Sequence, residues 1–137
     1  MAYSMRRADY YHTTIDDEPA EAYRVLAQLA GQGINLLAFT GMPAGPMRTQ
    51  FTLFPEDGSQ LREAARRAGW MLDGPYTALL VQGDDELGAL DRIHVRLYEA
   101  KVNVYASSGV ADGKGSFGYI LYVRPDEYER AARAMGL

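Results

Sequence analysis

The chain repeats itself at a fixed offset of 68 residues, and no other feature of the sequence constrains its fold as strongly. Asp16-Asp17-Glu18 returns as Asp84-Asp85-Glu86, Arg24 as Arg92, Leu29 as Leu97, Asn35 as Asn103, Ala38 as Ala106 and Gly41 as Gly109. Eight of the 27 positions from Ile15 to Gly41 are identical at that offset, against roughly 6% expected from residue usage alone. The chain therefore reads as two copies of one unit.

A unit of about 68 residues lies near the lower limit of what buries an adequate core alone, so the halves are expected to complete one another. The boundary is placed between residues 8–74 and 75–137. Apolar residues make up 47% of the 137 and charged residues 23%, the ordinary balance of a globular protein. The absence of cysteine excludes disulfides and thiolate chemistry. No apolar run approaches the ~20 residues of a membrane span, and Met1–Asp9 lacks the apolar stretch of a signal peptide, so the reading is cytoplasmic with no membrane partner. A net charge of −4 argues against nucleic acid as partner, because that affinity rests on Lys and Arg neutralising phosphates.

Each half reads as strand, helix, strand, strand, helix. In the first half, Tyr10–Ile15 is rich in β-formers. Asp17 is placed to cap a helix whose apolar residues Ala22, Val25, Leu26 and Leu29 recur at helical spacing, ending near Gly31 and Gly33. Ile34–Thr40 reads as a second strand, residues 41–46 as a loop, Thr49–Phe54 as a third strand, and Asp57 with Gln60 as a capping box opening a helix that closes at Gly69. In the second half the same order gives a strand at Thr77–Val81, a helix over Glu86–Ala100 with Leu90, Ile93, His94 and Leu97 as its stripe, and a strand at Val102–Ser107. A loop over Gly109–Gly115, a strand at Phe117–Val123 and a helix over Asp126–Met135 capped by Asp126 and Glu129 complete it.

This order predicts an α+β fold: a ferredoxin-like βαββαβ arrangement repeated twice, with an antiparallel sheet and its helices on one face. The fourth strand of the first copy is assigned to Trp70-Met71-Leu72. The second copy ends at Gly136-Leu137 and lacks its last strand, which leaves Thr77–Val81 as an open edge. Residues 1–7, a swapped segment 70–74 or a second subunit are the three ways of covering it, and a homodimer is expected.

The turn before each first helix carries a family resemblance. Asp85-Glu86-Leu87-Gly88-Ala89-Leu90, followed by Ala100-Lys101-Val102-Asn103-Val104, resembles the Asp-x-Pro-Gly-x-Leu turn and the Gly-Ile-Asn-Ile strand opening of ACT domains. Asp17-Glu18-Pro19-Ala20 resembles the same turn without its glycine, and Gly33-Ile34-Asn35-Leu36 matches the strand opening. From about Tyr10 to Leu137 the chain is similar to a tandem pair of such domains. The resemblance implies a regulatory protein that binds a small molecule, most often an amino acid, near the first turn. It also implies association with a regulated enzyme, and neither catalysis nor a cofactor.

The chemistry of the turn agrees with that implication. A strand-to-helix turn presents unpaired N–H groups at the positive end of a helix, a place for a carboxylate. Gly88 lets a ligand approach the backbone, and Asp84, Asp85 and Glu86 are placed to hold an ammonium group. The candidate ligand site is therefore Asp84, Asp85, Glu86, Leu87, Gly88, Ala89 and Leu90, with Asn103 nearby. The structural alternative is that Asp17 and Asp85 cap helices, Gly88 eases packing, and Asn35 and Asn103 satisfy loose carbonyls past the helix ends. Ala20 adds a methyl at the equivalent place in the first copy, where binding is expected to be weaker.

Other chemistry finds less support. His94 falls on the buried stripe and reads as a core histidine held by a hydrogen bond. His12 has no cysteine or second histidine to complete a metal set. Residues 109–114 resemble a phosphate-binding loop in outline, but are one residue short and join two strands. No serine is paired with a plausible base, so no catalytic residue is assigned. Phe117-Gly118-Tyr119-Ile120-Leu121-Tyr122 matches the aromatic core of an RNA-recognition strand, while the acidic balance and Leu80 on the partner strand oppose that reading. The alternatives to a ligand sensor are a protein–protein assembly module without ligand and, behind it, an RNA-recognition-like binder.

Overall fold

The computed structural model describes residues 3–137. The elements run β1 (Tyr3–Asp16), α1 (Pro19–Gly31), β2 (Leu36–Pro43), β3 (Arg48–Pro55), α2 (Gly58–Ala68), β4 (Asp73–Asp84), α3 (Ala89–Glu99), β5 (Val104–Ala111), β6 (Ser116–Val123) and α4 (Tyr128–Ala134), the last preceded by a 3-10 turn at Pro125–Glu127. The fold is α+β, with a βαββαβ-like pattern appearing twice. None of the helices among the described residues is long and apolar enough to cross a membrane.

Two compact units emerge, one from Asp9–Tyr76 and one from Thr77–Leu137 together with the residues up to Ala8. In the first unit the strand order is β2, β3, β1 and then residues 73–76 of β4. Its core joins Tyr11, Phe51 and Leu53 of the sheet to Val25 and Leu29 of α1 and Leu61 and Ala64 of α2, so both helices cover one face. On the other face Tyr10, His12, Phe54 and Tyr76 form a ring cluster with centroids 5.1 to 5.7 Å apart, and Thr52 Oγ1 lies 3.0 Å from His12 Nδ1.

In the second unit the order is residues 3–8 of β1, then β4, β6 and β5. Phe117, Tyr119, Leu121 and Val123 alternate along β6 into a core with Leu79, Val81, Ile93, Leu97, Tyr128 and Ala131, the period-2 pattern of a half-covered strand. Helices α3 and α4 cover that face. Phe117 and Tyr119 are buried under them at 9% and 8% exposure, so these rings are not available for bases to stack on.

The strand missing from the second copy is supplied by the start of the chain. Residues 3–8 of β1 lie beside β4, so Thr77–Val81 is interior to the sheet and not an edge. Tyr3 and Met5 pack against the second core, Arg7 makes a two-pronged ion pair with Glu129 at 2.6 and 3.0 Å, and Arg96 donates to the Tyr3 hydroxyl at 2.7 Å. Met1, part of the expected covering segment, lies outside the described residues with Ala2.

The expected fourth strand at Trp70-Met71-Leu72 is not formed; β4 begins at Asp73. Gly69 takes φ 75° after α2, and Trp70 donates its N–H to Ala65 at 2.9 Å, a Schellman closure. That closure turns Trp70 and Leu72 onto the first core, where they are half-buried. The capping pair Asp126 and Glu129 is not formed either, because Pro125 opens a 3-10 turn and no side chain caps α4. Asp57 does cap α2, accepting from Ser59 N at 2.9 Å and Gln60 N at 3.4 Å. Strands β2 and β5 run further than expected, through Pro43 and Ala111.

The repeat extends to the pairing register. Phe39 faces Leu53 and Gly41 faces Phe51; 68 residues on, Ser107 faces Leu121 and Gly109 faces Tyr119. A bulge falls between Leu36 and Ala38 in one copy and between Val104 and Ala106 in the other.

Candidate functional site

Strand β4 ends at Asp84, opposite Ser116. Asp85 then donates its N–H to the carbonyl of Gly115 at 2.9 Å, which ties the turn to the β5–β6 hairpin. Ala89 donates to the Glu86 carbonyl at 3.1 Å. Gly88 follows at φ 80° as the N-cap, so α3 starts at Ala89 and no side chain caps it. In the first repeat Pro19 stands at N1 after Glu18, and α1 starts two positions earlier in the repeat frame. The fixed φ of proline suits a first helical residue, whereas the left-handed Gly88 interrupts the winding. An extended turn therefore precedes α3 that α1 lacks.

This turn walls one side of an open cleft of about 730 Å³. Residues 85–91 form that wall; Gly109, Val110 and Ala111 of β5 with Phe117 and Gly118 of β6 form the other. Leu87 is fully exposed, an apolar side chain beside the uncapped helix start, and Ala111 shares the face of Gly109 across from it. Asp85, Glu86 and Asp91 make the lining acidic. The nearest cation, Arg92, is engaged: its guanidinium meets Glu86 Oε2 at 3.0 Å and the Leu87 carbonyl at 3.4 and 3.5 Å. Chemically, the cleft offers N–H donors to an anionic group, carboxylates to an ammonium group and an apolar surface to a side chain.

Six of the eight residues singled out from sequence, Asp85, Glu86, Leu87, Gly88, Ala89 and Leu90, line this cleft. Asp84 is placed at the end of β4. Asn103 lines a separate groove of about 480 Å³ with Tyr98, Glu99, Lys101 and Val102. In the first copy Asn35 Nδ2 donates to Glu56 at 2.7 Å. The β5 and β6 side of the cleft was not assigned from the sequence, although the identity of Gly41 and Gly109 marked it. The reason for that glycine is visible: a Cβ on Gly109 would stand 2.7 Å from Tyr119 Cδ1, and one on Gly41 3.2 Å from Phe51 Cε1. His94 has the hydrogen bond expected of a core histidine, its Nε2 lying 2.7 Å from the Tyr119 hydroxyl.

No protein-family model matches the sequence, and no curated protein does. Solved structures do match its fold. A protein named BT0572 from Bacteroides thetaiotaomicron superposes with a TM-score of 0.78 at 13% identity, covering 96% of this chain and 90% of that one. The ligand-free regulatory subunit of aspartate kinase from Thermus thermophilus gives 0.65 at 16% identity, covering 96% and 93%. A structure of aspartokinase α and β subunits gives 0.61 at 18% identity, covering 98% and 95%. At these identities the likeness is one of fold.

Proposed function

We propose that this chain is a regulatory small-molecule-binding protein of the tandem ACT type, whose ligand is an amino acid or a related metabolite held at the turn before α3. The observation that carries the reading is the cleft of about 730 Å³ in which the uncapped start of α3 faces the apolar surface of β5 and β6. The α-carboxylate points at the N–H groups of the turn, the α-ammonium group at Asp85 or Glu86, and the side chain lies against Gly109 and Ala111, the β5 residues on the helix-covered face. The motif resemblance of Asp85–Leu90 supports this reading, as does the fold shared with a regulatory subunit of aspartate kinase. The bound state of the cleft in turn signals to a partner enzyme, and the chain itself is not catalytic.

A thermal-shift screen of the common amino acids and related metabolites tests the proposal, since a ligand of the native state adds RT ln(1 + [L]/Kd) of stability. The expected result is a concentration-dependent rise in Tm that Ala111→Glu abolishes. No shift with any amino acid or related metabolite, or a shift that Ala111→Glu leaves intact, sinks it.

A second reading, assembly through self-association, is favoured by β5. Val104–Ala111 carries no charge, and every residue from Tyr105 onward is exposed along the edge of its sheet, so it lacks the charged guards that usually protect such strands. A homodimer paired through β5 is compatible with ligand binding. Sedimentation at micromolar concentration checks it: wild type is expected as a dimer and Ser108→Lys as a monomer.

A further inference from the structure

We propose that His94 and Tyr119 are the positioning pair of the cleft, holding its two walls at a fixed separation; this rests on reading the cleft as the ligand site. His94 follows Leu90 by four residues on α3, one helical turn along the same face, and Leu90 is part of the helix wall. Tyr119 lies on β6 directly opposite Gly109 of the strand wall. Its ring covers that glycine so closely that a Cβ there would come within 2.7 Å. The hydrogen bond of 2.7 Å between His94 Nε2 and the Tyr119 hydroxyl therefore joins the helix wall to the strand wall.

The internal repeat acts as a control. Its positions equivalent to His94 and Tyr119 are Leu26 and Phe51, which share the strand pairing and the glycine contact but have no polar link. Both members of the pair are polar in one copy and both are apolar in the other. Neither half of the change is useful alone, because a hydroxyl on a ring only 8% exposed needs a partner and loses one when the histidine goes. Phe51 is buried at 3% with no such bond while Leu26 stays exposed, so burial of the ring does not require the pair and the second copy uses it for something else. A directional bond fixes the distance between two elements more sharply than apolar contact does.

Amide hydrogen exchange on the full chain tests this without a ligand. Tyr119→Phe removes one oxygen and keeps the ring, and His94→Leu with Tyr119→Phe installs the residues of the other repeat. In both variants exchange at Ala89 and Arg92, whose N–H groups hold the turn through Glu86 and Gly88, is expected to accelerate by about fivefold or more. Leu121 on β6 and Leu61 in the other unit are expected to stay unchanged. His94→Gln, which keeps a hydrogen-bonding group at that position, is expected to retain wild-type exchange. A smaller change at Ala89 and Arg92 in Tyr119→Phe, or an equal acceleration at Leu121, overturns the proposal, the second outcome assigning the pair to general stability. A failed ligand screen with the exchange pattern intact strikes only the functional reading.

Discussion

Lys101 occupies at φ 61° the left-handed position that Gly33 holds at φ 71° in the other copy. The two close their helices alike: Val102 donates to Leu97 at 2.9 Å and Ile34 to Leu29 at 2.9 Å. The converse exchange occurs at the hairpins, where Met47 at φ 59° stands in the place of Gly115 at φ 98°. Each copy thus keeps one strained side chain where the other uses glycine.

Replacing Met47 or Lys101 by glycine is expected to stabilise the protein by up to about 1 kcal/mol each, because a left-handed non-glycine residue costs roughly 1–2 kcal/mol and glycine returns part of the gain as chain entropy. Denaturant titration reads the change. A loss of stability in both variants contradicts the strain account.

Gly109→Ala is expected to destabilise by about 1–3 kcal/mol, the usual range for overpacking, since its Cβ meets the Tyr119 ring at 2.7 Å and the Gly118 carbonyl at 3.2 Å. Gly41→Ala, with its closest contact at 3.2 Å, is expected to cost less. The ordering of the two denaturation midpoints is the check.

Gly88→Ala is a less neutral probe of the ligand turn than a first-helical-turn position suggests. Its Cβ has room, with only Arg92 Nη1 at 3.5 Å, but φ is 80°. Alanine is expected to cost about 1 kcal/mol of stability and asparagine less, because asparagine tolerates the left-handed region. Ligand affinity is therefore best compared between glycine and asparagine, with a tenfold loss, about 1.4 kcal/mol, expected if backbone approach matters.

Asp57 and Glu129 make stability fall in acid. Hydrogen bonds from the Ser59 hydroxyl and from the N–H groups of Ser59 and Gln60 hold Asp57 below its ordinary value. The Arg7 guanidinium does the same for Glu129. A carboxylate depressed in the folded state contributes above its unfolded pKa, about 4, and loses that contribution as pH falls through the lower folded value. Asp57→Ala and Glu129→Gln are expected to lower the unfolding midpoint at pH 7 and to match wild type near pH 2. A difference that persists at pH 2 assigns their effect to something other than charge.

Removing residues 1–8 is expected to unfold the Thr77–Leu137 unit or drive its aggregation, because β4 would become an unpaired edge and the core would lose Tyr3 and Met5. Circular dichroism and light scattering decide it. A stable, monomeric truncated chain contradicts the pairing.

The sequence by itself determined the repeat, the order of strands and helices in each copy, and the turn 85–90. These are local matters: apolar spacing, capping residues such as Asp57 and an offset of 68 are written in neighbouring residues or in direct self-comparison. The bond between His94 and a partner was also legible, though not that the partner is Tyr119. Only the tertiary structure decided that residues 3–8 complete the second copy, because β pairing joins segments more than 70 residues apart and a strand sequence does not encode its neighbour. The same holds for the wall of Gly109 to Ala111 opposite the turn, and for Asn103 falling in a separate groove. Such proximities are set by how helices pack on a sheet, and no periodicity along the chain records them.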